Sequence, residues 1–165
     1  MSVEIIYPSE KYFKSFHHAL DQIAKEQIYI EMIEAKSFED VASFQAKLIS
    51  NNWPVYYAIN SDVVVGWVDI SLSSNPRLSH RGHLGMGLIK DFRGQGIGSQ
   101  LLSQSLKHAK QIGLEKVELS VYTSNTAAFE LYKKFGFSEI GIIKNFRKLN
   151  DKYFDAIEME KFLEI

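Results

Sequence analysis

The stretch DFRGQGIGSQLL, residues 91–102, sets glycines at 94, 96 and 98 behind an arginine and then enters an apolar helical pattern at once. A strand that turns through glycines into a helix is a good anion site. The first helical amides have no intrahelical acceptors, and the helix dipole is positive there. Gly94, Gly96 and Gly98 carry no side chains to keep a phosphate away, and Arg93 can add a charge-assisted hydrogen bond. Three phosphate patterns compete. A P-loop needs Gly-Lys-Ser/Thr, but Gly98 is followed by Ser99-Gln100. A dinucleotide fingerprint needs a third glycine where Ser99 stands. The pattern R/Q-x-x-G-x-G/A is met in full by Arg93-Gly94-Gln95-Gly96-Ile97-Gly98. A flexible loop with no ligand is the fourth alternative.

Hydrophobic periodicity supplies the elements that must hold this loop. Val3 to Tyr7 reads as a strand, and Ser9 caps a helix with Phe13, Phe16, Leu20 and Ile23 inward. Ser37 to Asp40 resembles a capping box, followed by a stripe of Val41, Phe44 and Leu48. Val55 to Ser71 reads as a hairpin broken at Asn60-Ser61-Asp62. A strand follows from about His83 to Lys90, its Gly85 and Gly87 suggesting a bulge or a close backbone approach. The next helix turns Ile97, Leu101, Leu102, Leu106, Ala109 and Ile112 to one face, leaves His108 on its polar side, and ends at Gly113. Val117 to Tyr122 is a strand. Asn125 caps a short helix bearing Ala128, Leu131, Tyr132 and Phe135, and on spacing alone Tyr132 is a core aromatic. Strands Phe137 to Ile143 and Tyr153 to Met159, joined by a polar segment, close the chain. The expected order is β-α-α-β-β-β-α-β-α-β-β, an α/β fold in a single domain over residues 1–165.

Composition removes several functions. The net charge of −1 predicts no nucleic acid and no anionic membrane as partner. With no cysteine there is no disulfide, no zinc-thiolate site and no cysteine nucleophile. No His/Asp/Glu set has metal-ligand spacing, so no metal is expected. The N-terminus lacks a signal-peptide pattern, and no apolar run approaches the ~20 residues that span a bilayer. The expectation is a cytoplasmic protein.

The third glycine pattern is the acyl-CoA signature of the GNAT superfamily of N-acyltransferases, and the sequence resembles that family from about Val55 to its end. GLIKDFRGQGIGSQLL looks like its fourth strand and pyrophosphate loop, SNTAAFELYKKFGF like its N-x-x-A-x-x-L-Y-x-K-x-G-F segment, and KYFDAIEMEKF like its closing strand. The likeness is nearest to the branch of ribosomal-protein and amino-acid acetyltransferases. It implies a mixed, mostly antiparallel sheet of about seven strands with four helices, splayed at the fourth strand. It also implies acetyl-CoA as co-substrate and a small-molecule or peptide amine as acceptor, in a monomer or homodimer. Residue by residue, Arg93, Gly94, Gln95, Gly96, Ile97, Gly98 and Ser99 would hold the pyrophosphate. The backbone of Met86 and Leu88 would bind the pantetheine arm like an added strand. Asn125 would contact the cofactor, Tyr132 would be the general acid, and the Leu88 amide would donate to the oxyanion. Tyr132 follows Asn125 by two helical turns, roughly 10 Å along the axis.

The base is the gap in the pattern. Where one branch carries a glutamate five residues before the asparagine, this chain has Ser120. Counting back in twos from Leu88 gives Met86, Leu84 and Gly82, none of them basic, with His83 on the opposite face. Glu31, Asp69, His83 and Asp155 are the candidates. Asp69 leads, because a carboxylate within the apolar strand Val63 to Ile70 needs a reason.

Overall fold

A computed structural model describes residues 2–164. Seven strands form one sheet in the order β1-β2-β3-β4-β5-β7-β6. In chain order the elements are β1 (Glu4–Ile6), α1 (Phe13–Glu26), α2 (Phe38–Ser50), β2 (Val55–Asn60), β3 (Val63–Leu72), β4 (Arg81–Leu88), α3 (Ile97–Gln111), β5 (Lys116–Tyr122), α4 (Thr126–Lys134), β6 (Ser138–Leu149) and β7 (Lys152–Phe162). No helix among the described residues is long and apolar enough to cross a membrane.

The central strands are apolar on both faces because both faces are covered. Val68, Ile70 and Leu84 pack with Leu101, Leu102 and Tyr132 beneath α3 and α4. Tyr57, Val64 and Trp67 pack with Phe16, Ile23 and Leu48 beneath α1 and α2. The β2–β3 hairpin turns on Ser61 and Asp62, both at positive φ, as two-residue hairpins require.

All strand pairs are antiparallel except β4 with β5. That parallel pairing covers only Arg81↔Lys116, Gly82↔Val117 and His83↔Glu118. β4 runs on to Leu88 and β5 to Tyr122 with no further pairing between them. The sheet is open from this point.

Several expectations needed correction. Ser9 makes no side-chain cap. It opens a 3-10 turn, Glu10–Tyr12, that leads into α1. Ser37 does cap α2, its Oγ accepting from the Asp40 amide at 3.1 Å, but Phe44 is exposed and Gln45 is buried in its place. The inward stripe is 41, 45, 48, and Gln45 is tolerated there because Tyr57 Oη donates to its Oε1 at 2.7 Å. His108 is buried, not solvated, with Nδ1 3.1 Å from Tyr56 Oη. Desolvation holds its imidazole below the ordinary value. The polar segment after Ile143 is not a loop: β6 continues to Leu149, with a register shift between Ile143 and Arg147 and a tight turn at Asn150-Asp151.

The Gln45–Tyr57 pair gives a stability test. Gln45→Leu leaves a buried hydroxyl without its acceptor and should cost about 1–3 kcal/mol. Adding Tyr57→Phe should recover most of that loss. Urea denaturation of both single variants and the double measures it, and a fully additive double variant would contradict the account.

Candidate active site

Where β4 leaves β5, one edge of β4 loses its partner. The Ile89 amide donates to Val65 O at 2.9 Å, which fixes the phase of the β3–β4 ladder. Alternation then turns the amides of Met86 and Leu88 away from β3 and into the gap. The Leu88 carbonyl faces the same way, accepting from Arg93 Nε at 2.9 Å. A cleft of about 560 Å³ occupies this gap and is lined by β4, β5, the glycine loop and α4.

At one end of the cleft the chain leaves β4 through a 3-10 turn, Lys90–Phe92, and enters α3. Gly94 and Gly96 sit at φ +72° and +79°, a left-handed geometry that side chains resist, with open space where a Cβ would be. Gly96 begins α3 without any side-chain cap. The amides of Ile97, Gly98 and Ser99 therefore have no intrahelical acceptor. A Cβ on Gly98 would lie 3.3 Å from Leu131 of α4 and 3.6 Å from Leu88, so glycine there lets α3, α4 and β4 converge. Gln95 ties the loop down, Nε2 donating to Asp91 O at 2.7 Å. Ile97 is buried and offers only its backbone. Open amides with no side-chain bulk form a cradle that fits a diphosphate.

Arg93 requires a correction. Its guanidinium does not point at the glycines. It forms a two-pronged ion pair with Glu26 at the end of α1, at 2.9 and 2.6 Å, and stacks over Tyr29 at 4.3 Å. That pairing raises its pKa further. A second arginine, which sequence reading missed, does related work. Arg147 donates to Ile30 O at 3.0 Å and Gln27 O at 2.7 Å, sandwiched between Tyr122 and Phe154 at 4.7 and 4.8 Å. The two arginines hold the α1–α2 segment against the cleft, where Tyr29, Glu31 and Met32 line it.

Asn125 caps α4, its Oδ1 accepting from the Ala128 amide at 3.3 Å, and also lines the cleft. Tyr132 lines it too, buried edge-on to Phe137. Desolvation raises its pKa, so the hydroxyl stays protonated at neutral pH. Both residues and the glycine loop thus border one space.

The base candidates separate. Asp155 is engaged elsewhere: the Asn145 amide donates to it at 2.8 Å and Lys144 pairs with it at 3.0 Å, holding its carboxyl below the ordinary value. Glu31 and His83 both line the cleft. His83 does so from the face opposite Leu88, because the gap opens the sheet to both sides. Asp69 lies opposite Gly85 in the β3–β4 register. A Cβ on Gly85 would lie 3.7 Å from Asp69 Oδ1, so this carboxyl stands directly behind Gly85, which lines the cleft. Burial pushes the Asp69 pKa up from 3.8 to about 7.

The Acetyltransferase (GNAT) family profile matches residues 17–137, from α1 through α4. The chain belongs to the GNAT acetyltransferase family. It is 29% identical over 99 residues to L-amino acid N-acetyltransferase AaaT of Escherichia coli (strain K12), covering 59% of this chain and 61% of that protein. This GNAT chain thus spans about three fifths of that curated relative's length. Its fold matches a GNAT-family acetyltransferase from Streptococcus pneumoniae with a TM-score of 0.91 at 24% identity, covering 99% of this chain and all of the other. It also matches a phosphinothricin acetyltransferase from Sinorhizobium meliloti, solved with AcCoA, with a TM-score of 0.91 at 18% identity over 99% of this chain and 89% of that one.

The arginine latch in this GNAT fold is testable. Glu26→Ala leaves a half-buried guanidinium unpaired and should cost about 1–3 kcal/mol of stability. It should also speed proteolysis between Gln27 and Lys36. Unchanged cleavage there would show that the ion pair does not hold the segment.

Proposed function

We propose that this chain transfers the acetyl group of acetyl-CoA to a primary amine by direct attack of the amine on the thioester. The observation that carries the reading is the alignment of two backbone features along one cleft: the uncapped start of α3 and the unpaired edge of β4. A diphosphate suits the first. An extended amide-bearing arm suits the second, added as a strand would be. Family membership and the AcCoA named for the Sinorhizobium relative support the same donor.

In this reading the amides of Gly94 through Ser99 bind the pyrophosphate, and Met86 and Leu88 hold the arm. Arg93 acts through its backbone and its latch. Asn125 both caps α4 and borders the donor. The Leu88 amide donates to the carbonyl oxygen as it gains charge. Tyr132, kept protonated by burial, gives its proton to the departing thiolate, and the second proton shed by the newly acylated nitrogen restores its hydroxyl. The acceptor reaches the thioester as an ammonium ion and must lose a proton before it attacks. Asp69, with its carboxyl near neutral pKa, takes that proton, directly or through water in the space beside Gly85.

Purified protein, acetyl-CoA, a panel of amines and a thiol reagent test this directly. CoA release dependent on an amine is expected. Tyr132→Phe should lower kcat about 10–1,000-fold while the acetyl-CoA Kd holds within about threefold. Acetyl-CoA binding with no amine acetylated would favour a sensor of the same fold, and no binding at all would sink both readings.

The Asp69 assignment predicts a pH profile. A base works only when deprotonated, so kcat/KM should rise with pH through about 7 and then level. Asp69→Asn should remove that limb and lower kcat about 100-fold or more. The stability sign is opposite. The folded-state pKa lies above the unfolded value, so the fold is favoured by this group below about pH 4 and loses that contribution as pH rises through about 7. Asp69→Asn should therefore raise Tm at pH 8 more than at pH 4. A wild-type limb that persists in Asp69→Asn would assign the base elsewhere.

A further inference from the structure

The gap between β4 and β5 has two walls, and the second holds a carboxylate as well. The last β4–β5 pair is His83↔Glu118. Two residues on, Gly85 and Ser120 would face each other if pairing continued, and both line the cleft. Side chains two apart share a face of a strand, so Gly85 and Ser120 lie on the face of His83 and Glu118. Behind Gly85, across the β3–β4 ladder, stands Asp69. Behind Ser120, across the β5–β7 ladder, stands Glu158. Asp69, Gly85, Ser120 and Glu158 thus form one row across one face of the sheet, with the cleft opening at its centre.

The Ser120 hydroxyl donates to Glu158 Oε1. Its proton is committed away from the cleft, so its lone pairs remain to accept a hydrogen bond. A serine held this way, with a carboxylate behind it, suits an N–H donor carrying positive charge. The neighbouring cations are taken. Arg93 is paired with Glu26, and Arg81 with Glu118. Lys116 bridges Glu118 and Glu160, and Lys144 is paired with Asp155. Arg147 spends its terminal nitrogens on the Ile30 and Gln27 carbonyls, and its Nε is buried. Glu31 adds a carboxylate to the cleft lining.

We propose that Ser120, backed by Glu158, is the docking point for the acceptor's ammonium group, and that it selects amines with no free carboxylate on the adjoining carbon. The proposal rests on the acetyltransferase reading above. Ser120 contacts the acceptor, while Glu158 is a positioning residue that orients the serine hydroxyl and supplies the compensating charge. An α-amino acid would bring its own carboxylate to a wall carrying Glu158 and Glu31, where the arginines and lysines named above are already engaged. Asp69, on the opposite wall, is left to take the proton.

Paired substrates test it: cadaverine against lysine, tyramine against tyrosine, alaninamide against alanine, each at saturating acetyl-CoA. The member without the carboxylate should have the higher kcat/KM. For the best acceptor, Glu158→Gln and Ser120→Ala should each raise the amine KM about tenfold or more and leave kcat within about twofold. Their combination should be little worse than either alone, and Glu158→Asp should recover part of the loss. The acetyl-CoA Kd should not move. Preference for the amino-acid members overturns the selectivity. An unchanged amine KM in Glu158→Gln, or a fall in kcat instead, overturns the docking role. If no amine is turned over although acetyl-CoA binds, the acetyltransferase reading fails and takes this proposal with it.

Discussion

The parting of β4 from β5 after three paired residues is the constraint on which the rest depends. A parallel pair that ends inside a sheet leaves a row of amides and carbonyls that must find partners. One, the Leu88 carbonyl, is claimed by Arg93. The amides of Met86 and Leu88 are left facing a cleft. The opening also joins the two faces of the sheet, so groups beneath α1 and groups beneath α4 border one space. Tyr132 approaches from one side and His83 from the other, with Asp69 one strand behind Gly85.

An open sheet needs support where pairing stops, and two arginines provide it. Arg93 binds α1 to the end of β4, and Arg147 binds the segment after α1 to the β6–β7 hairpin. A planar guanidinium suits this position, because its edge donates in fixed directions while its faces stack on tyrosine and phenylalanine. The segment after α1 is held by these polar contacts together with Tyr29, Ile30 and Ala35, which pack against the core beneath α1, whereas the glycine loop is built into the core through Ile97 and Leu101.

Much of this was legible in the sequence, because glycine placement and helix periodicity are local signals. The glycine loop, the Asn125 cap and the α3 stripe all rest on spacings within ten residues. At Gln45 and His108 the polar residue type suggests an outward side chain, and spacing decides otherwise. Gln45 stands at i+4 from Val41, and His108 at i+7 from Leu101, so period alone puts both inside. The polar end of β6 reads as a loop in the sequence because an edge strand faces water and carries no apolar alternation. The destination of Arg93 was not legible, since Glu26 is 67 residues away. Nor was the row from Asp69 to Glu158, because strand register is set by the whole sheet and by no single segment.

In the proposed reading, donor and acceptor are met by different parts of the polypeptide. The groups offered to the donor are mostly main-chain amides, whose positions follow from the fold and survive most substitutions. The walls facing the acceptor end in Gly85 and Ser120, two of the smallest residues, each with a carboxylate one strand behind it. A change at either position would alter what meets the incoming molecule without disturbing a backbone amide. The proposed donor groups are thus fixed by the backbone, while the proposed acceptor wall depends on two small side chains and the carboxylates behind them.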